Sequence, residues 1–246
     1  MHLPVGHTPI LSAAIILSSL LFFYAYYYFA HSVFLREYIE KRTQHIQLEL
    51  KLFFAKKTLG FLLLGVIPGI IYYFLLNPDF EQFGLSFTAL KNNLSLIFSL
   101  ILIISIILFI AQKMNLERNS LQLKLTEWNM LLFLLNSIGW IIYLAGYEFL
   151  FRGILLVECN NSFGFWPAIA INVTIYSAIH MVNGKDQAIG ALIFGTLACY
   201  LTLTKGTILI PFIMHISLSL ISDYFSIRLN PRLNFITSKK NNLNKI

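Results

Sequence analysis

The chain alternates between long apolar runs and short polar breaks, and the runs outlast the helices of an ordinary soluble core. Apolar stretches recur at residues 10–30, 59–76, 94–112, 131–152, 165–182, 187–204 and 207–226, each near the ~20 residues that cross a hydrocarbon core. In lipid a segment must satisfy its own backbone polar groups, so these runs are predicted to be helices. The pattern therefore predicts an all-α fold: a polytopic integral membrane helix bundle of about seven transmembrane helices. The first run has only His2 and His7 before it and no small-residue cleavage site, so it is read as a permanent span rather than a secretory leader.

The polar breaks carry their own pattern. In "REYIEKRTQHIQLELKLFFAKK", Ile39, Ile46, Leu50 and Phe53 recur at spacings of seven, four and three, one face of a helix, with Leu48 off the stripe. This predicts a cytoplasmic amphipathic helix against the membrane surface, with a solvated linker as the alternative. "NPDFEQFGLSFTALKNN" reads as an outer polar connection, "KMNLERNSLQLKLTEWN" as an inner loop with helical character, and "RLNPRLNFITSKKNNLNKI" as a poorly ordered tail. The organisation expected is a membrane scaffold over 1–128, a core over 129–227 and a basic cytoplasmic tail over 228–246.

Composition changes the picture only by fixing the solvent and the orientation. Hydrophobic residues make up 57% and charged residues 12% of the chain, with a mean hydropathy of +0.72. Charge has been lost relative to a soluble domain, which points to lipid. With the N-terminus outside, fifteen of the eighteen Lys and Arg fall in inner loops and the tail, leaving only Lys91, Lys205 and Arg152 on the other side. That bias predicts N-terminus out and C-terminus in. It also explains the net charge of +7 by anionic headgroups, without nucleic acid. Cys159 and Cys199 lie apart with no CxxC spacing and suggest no metal.

The candidate chemistry lies in the second half. Its apolar runs contain Glu148, Arg152, His180, His215 and Asp223, and ionisable groups at membrane depth mark function by default. Three runs place polar residues four apart, hence on one helix face: Glu148 with Arg152, Tyr176 with His180, and His215 with Ser219. Asn172 extends the second face by a turn. Turned inward, these faces bring together a carboxylate fit for general acid–base work and imidazoles fit to hold water or stabilise an oxyanion. The same spacing also fits a structural ion pair, with Arg152 snorkelling to headgroups, and histidines serving as hydrogen-bonding struts. Asp223 reads as interfacial, or as an alternative partner of His180.

"YEFLFRG", then "YSAIH", then "GKDQAIGALIFGTLACYLTLTKGTILIPFIMH" resemble the CPBP family of intramembrane proteases, the CAAX prenyl endopeptidase and bacteriocin-processing group (Abi-type). Three motifs in order carry the likeness: Glu-Glu-x-x-x-Arg, an aromatic four residues before His, and His four residues before a small polar residue. The linking helix has Gly195 in its middle and the lead-in Thr204, Gly206, Ile208 and Pro211. The likeness spans about residues 130–226. It implies catalytic roles for Glu148, His180 and His215, supported by Arg152, Tyr176, Ser219, Tyr147 and Asn172. Glu and His would activate a water, while the other His and the small polar residue support the oxyanion.

Two positions depart from the pattern. Tyr147 stands where the first glutamate of the pair belongs, and Ser219 stands where Asn is usual. For Glu148 to act in the place of its neighbour, which points about 100° away, the helix must be rotated or broken near Gly146. The resemblance implies no cofactor, although Glu148, His180 and His215 are the three residues that could hold a divalent metal.

The leading expectation is thus an intramembrane endopeptidase acting on a membrane-tethered peptide or protein, near a lipidated C-terminus or in a bacteriocin leader. The alternative is a catalytically silent family member serving self-immunity or scaffolding. A small proton-coupled transporter ranks last, because the sequence shows no repeat with paired broken helices. The expected location is the cell membrane, multi-pass.

Overall fold

The computed structural model describes residues 9–43, 45–76, 80–114 and 121–236. Among these, six helices are long and apolar enough to cross a membrane: Pro9–Ala30, Gln47–Leu76, Leu94–Lys113, Met130–Phe163, Lys185–Lys205 and Leu209–Leu229. The chain is an all-α, multi-pass integral membrane protein. The run expected over 165–182 is a helix of 16 residues, Phe165–His180, only about 24 Å long at 1.5 Å per residue. It falls short of the length of a full span.

In chain order the helices are α1 (Pro9–Ala30), α2 (Val33–Glu40), α3 (His45–Phe61), α4 (Ile67–Leu76), α5 (Phe87–Asn92), α6 (Leu94–Lys113), α7 (Met130–Glu148), α8 (Leu156–Phe163), α9 (Phe165–His180), α10 (Lys185–Lys205) and α11 (Leu209–Leu229). Two π-helical segments join neighbours into longer rods: Leu62–Val66 links α3 to α4, and Phe149–Leu155 links α7 to α8. A short parallel ladder pairs β1 (Glu127–Trp128) with β2 (Asn234–Phe235), Glu127 opposite Asn234. It ties the entry to α7 to the exit from α11. The loop before α7 is not helical where it is described, and its residues 115–120, like 237–246 of the tail, lie outside the described residues.

The expected amphipathic surface helix is corrected. Ile39 belongs to the separate helix α2, while α3 runs without interruption into the long apolar rod. Leu48, read as off the stripe, is buried with Leu52, Phe53 and Lys57. The cause is packing: α3 lies along α7, so a neighbouring helix and not the bilayer surface selects its inner face.

Local chemistry sets the frame that carries the site. Asn129 caps α7 by accepting from the Leu132 N–H at 2.9 Å. Gly206 closes α10 in the left-handed region at φ +69°, a conformation that costs glycine little. Just beyond it, the Thr207 hydroxyl and the Ile208 N–H both donate to the Gly84 carbonyl, at 3.0 and 2.9 Å. That carbonyl anchors the start of α11. Elsewhere in the core, the Tyr72 hydroxyl of α4 reaches the Ile15 carbonyl of α1 at 3.2 Å and also bonds Ser18.

The first π segment and the last turns of α7 meet at glycines. A Cβ on Gly65 would stand 2.9 Å from the Gly146 Cα, and one on Gly146 would stand 2.9 Å from the Phe61 Cα. Only bare backbone fits this crossing, as at the small-residue contacts of membrane helices. Gly65→Ala is expected to cost about 1–3 kcal/mol, because the obstacle is main chain and cannot swing aside. Thermal unfolding in detergent measures it; an unchanged midpoint would show that the rods separate freely.

Candidate active site

Glu148 ends α7, and the helix widens immediately after it. The Leu156 N–H bonds back to the Phe151 carbonyl, a five-residue return in place of the usual four, which defines the π geometry. The Asn172 amide of α9 donates to the same carbonyl at 2.8 Å, and the Cys199 thiol of α10 donates to Asn172 Oδ1 at 3.3 Å. Asn172 is therefore a strut that holds α9 and α10 against the widened turn. No break occurs near Gly146: α7 is regular through Glu148, and the widened turn begins after it, at Phe149.

The structure brings the candidate residues together in one buried cluster. His215, on the second turn of α11, donates from Nδ1 to Glu148 Oε1 at 2.6 Å. The Arg152 guanidinium lies 3.4 Å from Glu148 Oε2 through Nε. Both Glu148 and Arg152 are 0% exposed, and His215 is 7% exposed. Arg152 does not snorkel: its charge sits 4.4 Å from the centroid of the Tyr176 ring, a cation–π contact. Among the described residues, none of its N–H groups meets an acceptor in hydrogen-bonding geometry, and Glu148 Oε2 and the Tyr147 hydroxyl also lack a partner.

Tyr147 is built into the wall of this cluster. Its ring stacks on Phe151 at 4.5 Å between centroids and meets His215 edge-on at 5.9 Å. His180 lies beside Tyr176, with rings 4.5 Å apart, and its Nδ1–H donates to the Tyr176 carbonyl at 2.7 Å. That bond leaves Nε2 with a free lone pair. Ser219 follows His215 by one turn on the same face and is buried. Glu148 and His215 are directed at each other and not at a shared centre. No group of three His, Cys, Asp or Glu side chains fit to hold a metal occurs among the described residues.

Asp223 is buried where α11 packs against α7. Its Oδ2 accepts from the Asn136 amide and from the Trp140 indole N–H, both at 2.8 Å and both from α7. Lys57 lies over the Trp140 ring, 3.3 Å from its centroid, and is 2% exposed. This second polar cluster is absent from the sequence expectations, which place Lys57 at the end of the amphipathic segment on the cytoplasmic side. A signal was there: Lys57 follows Ile46, Leu50 and Phe53 at spacings of four, three and four, and so continues their stripe.

Residues 126–221 match the family model described as type II CAAX prenyl endopeptidase Rce1-like. Over this segment, which is under half of the chain, the protein is similar to the CPBP family. The matched stretch begins just before α7, ends within α11, and holds the whole Glu148–Arg152–Tyr176–His180–His215 cluster together with Ser219. Lys57 and Asp223 lie outside it. No curated protein and no solved structure gives a match. CPBP proteins are intramembrane proteases, and six membrane-capable helices accord with that setting.

Proposed function

We propose that the chain is an intramembrane endopeptidase of the CAAX type that hydrolyses a peptide bond in a membrane-tethered substrate, with Glu148 as the general base. The observation that carries this reading is the buried Glu148–His215 bond of 2.6 Å, set within the CPBP segment where the helix widens. His215 engages Oε1 and orients the carboxylate, leaving Oε2 as the oxygen that takes a proton from water. The hydroxide so formed attacks the scissile carbonyl. Charge then develops on the carbonyl oxygen, and a buried donor aimed at it is worth more than the same donor in water. Arg152 has N–H groups to offer, and Ser219 adds a hydroxyl. The proton held by Glu148 passes to the leaving amine, so acid and amine are released with the base restored. His180, with Nε2 open, is placed to hold the attacking water.

The substrate class follows from the setting and the family. A site between membrane helices meets chains that are themselves held in the bilayer, and a prenylated C-terminal segment is such a chain. The test is cleavage of internally quenched peptides, prenylated and bare, by the purified protein in detergent. Wild type is expected to cut and His180→Ala to lose cleavage. A well-folded wild type that cuts no peptide would transfer the reading to a silent, scaffolding member.

A further inference from the structure

The faces of α7 and α11 that meet are polar along their length, which hydrolysis at a single point does not require. On α11, His215, Ser219, Ser222, Asp223 and Ser226 are all buried. At 100° per residue they fall within an arc of about 100°. On α7, Asn136, Trp140 and Tyr147 turn toward the same helix, since each contacts Asp223 or His215. The helices are antiparallel, with Glu148 opposite His215 at one end and Asn136 opposite Asp223 at the other. Beyond Asp223, the Gln112 amide of α6 donates to Ser226 Oγ at 3.2 Å. The line ends there beside Lys113 and Arg228, both exposed.

Polar atoms without a hydrogen bond are spaced along this line, one of them, Glu148 Oε2, ion-paired with Arg152 at 3.4 Å. Glu148 Oε2, the Tyr147 hydroxyl, Asn136 Oδ1 and Gln112 Oε1 are buried and have no hydrogen-bond partner among the described residues. A buried polar atom without a partner costs about 1–3 kcal/mol, and native proteins meet that need with ordered water where the surroundings are polar. Serines carry the smallest hydroxyl side chains, and each offers both a donor and acceptor lone pairs to a water. A seam of purely structural hydrogen bonds would pair its members with each other; here the pairs at Asp223 and at Ser226 each leave an oxygen over.

We infer that the α7–α11 seam, from Gln112 and Ser226 past Asp223 to Glu148, is a water path that connects the buried site to the charged end of the bundle. Water is the ligand, and the seam is its binding track across roughly 16 Å, eleven residues at 1.5 Å each. Its service as the supply of hydrolytic water rests on the proposed protease reading; its hydration does not.

The experiment uses the full chain in lipid nanodiscs, with Cys159 and Cys199 replaced by Ala. Single cysteines are placed by Ser222→Cys in the seam and by Tyr224→Cys on the exposed side of α11. Only a hydrated thiolate attacks a permanently charged methanethiosulfonate, forming a mixed disulfide and releasing methanesulfinate. Cys at 222 is expected to react about tenfold faster than Cys at 224, and adding Ser226→Leu is expected to slow it. Equal, slow reaction at both sites, with full reaction after unfolding in detergent, overturns the inference. So does labelling at 222 that ignores Ser226→Leu. Because labelling is read without any substrate, a protein that cleaves nothing but labels as expected sinks the protease reading alone.

Discussion

Glu148→Gln is expected to lower peptide cleavage by about 10²–10⁴-fold, the usual worth of a positioned general base, in a protein that still folds. Gln has the shape of Glu, and its carbonyl oxygen can accept the His215 Nδ1–H that now reaches Oε1 at 2.6 Å. What it cannot do is take a proton from water. The comparison is a single-turnover rate for wild type and variant on the same peptide, beside their unfolding midpoints. Cleavage near the wild-type rate in a well-folded Glu148→Gln protein would remove Glu148 from the role of base. Tyr147 could not replace it, since its ring is held between Phe151 and His215.

Arg152→Met is expected to be the most destabilising single change in the site. Arg152 and Glu148 are both fully buried, and removing one partner of such a pair costs about 3–5 kcal/mol because the other charge is stranded. The double variant Glu148→Gln/Arg152→Met removes both charges and is expected to recover most of that loss while remaining inactive. Unfolding in one detergent, run as a double-mutant cycle, gives the coupling directly. Losses that simply add would mean that the two charges do not depend on each other. Recovery of stability without recovery of cleavage separates what the pair does for the fold from what Glu148 does for the reaction.

The helical, membrane-spanning character was legible because lipid imposes one rule on every residue of a span. The candidate cluster was legible for a related reason: charge is scarce in this chain, so Glu148, Arg152 and the two histidines stood out against Leu, Ile and Phe. Partners were much harder to read. Asp223 could be assigned to His180 or to the interface, because helix spacing says which face a residue occupies and not which helix covers that face. Asn136 and Trp140 supply the cover, and neither carries a charge to announce it. Lys57 is hidden by its neighbours: the charged residues before it suggest a helix on the membrane surface, while the packing of α3 on α7 draws it inside. The shortness of α9 escaped for another reason. Hydropathy continues past His180 through Met181 and Val182, but the helix does not.

The wide turn from Phe149 to Leu155 has a consequence for how this protein tolerates change. Such a turn accommodates one residue more than an ordinary helix would for the same advance. Exchanging one apolar residue for another there alters only the filling. Deleting one would let the rod close into a regular helix with the parts on either side nearly in place, because the wide turn already absorbs the extra residue. The change would be local: the Phe151 carbonyl now takes both the Leu156 N–H and the Asn172 amide, and a tightened turn would close it to Asn172. In this stretch a single lost codon would cost the site its strut and leave the course of the rod intact.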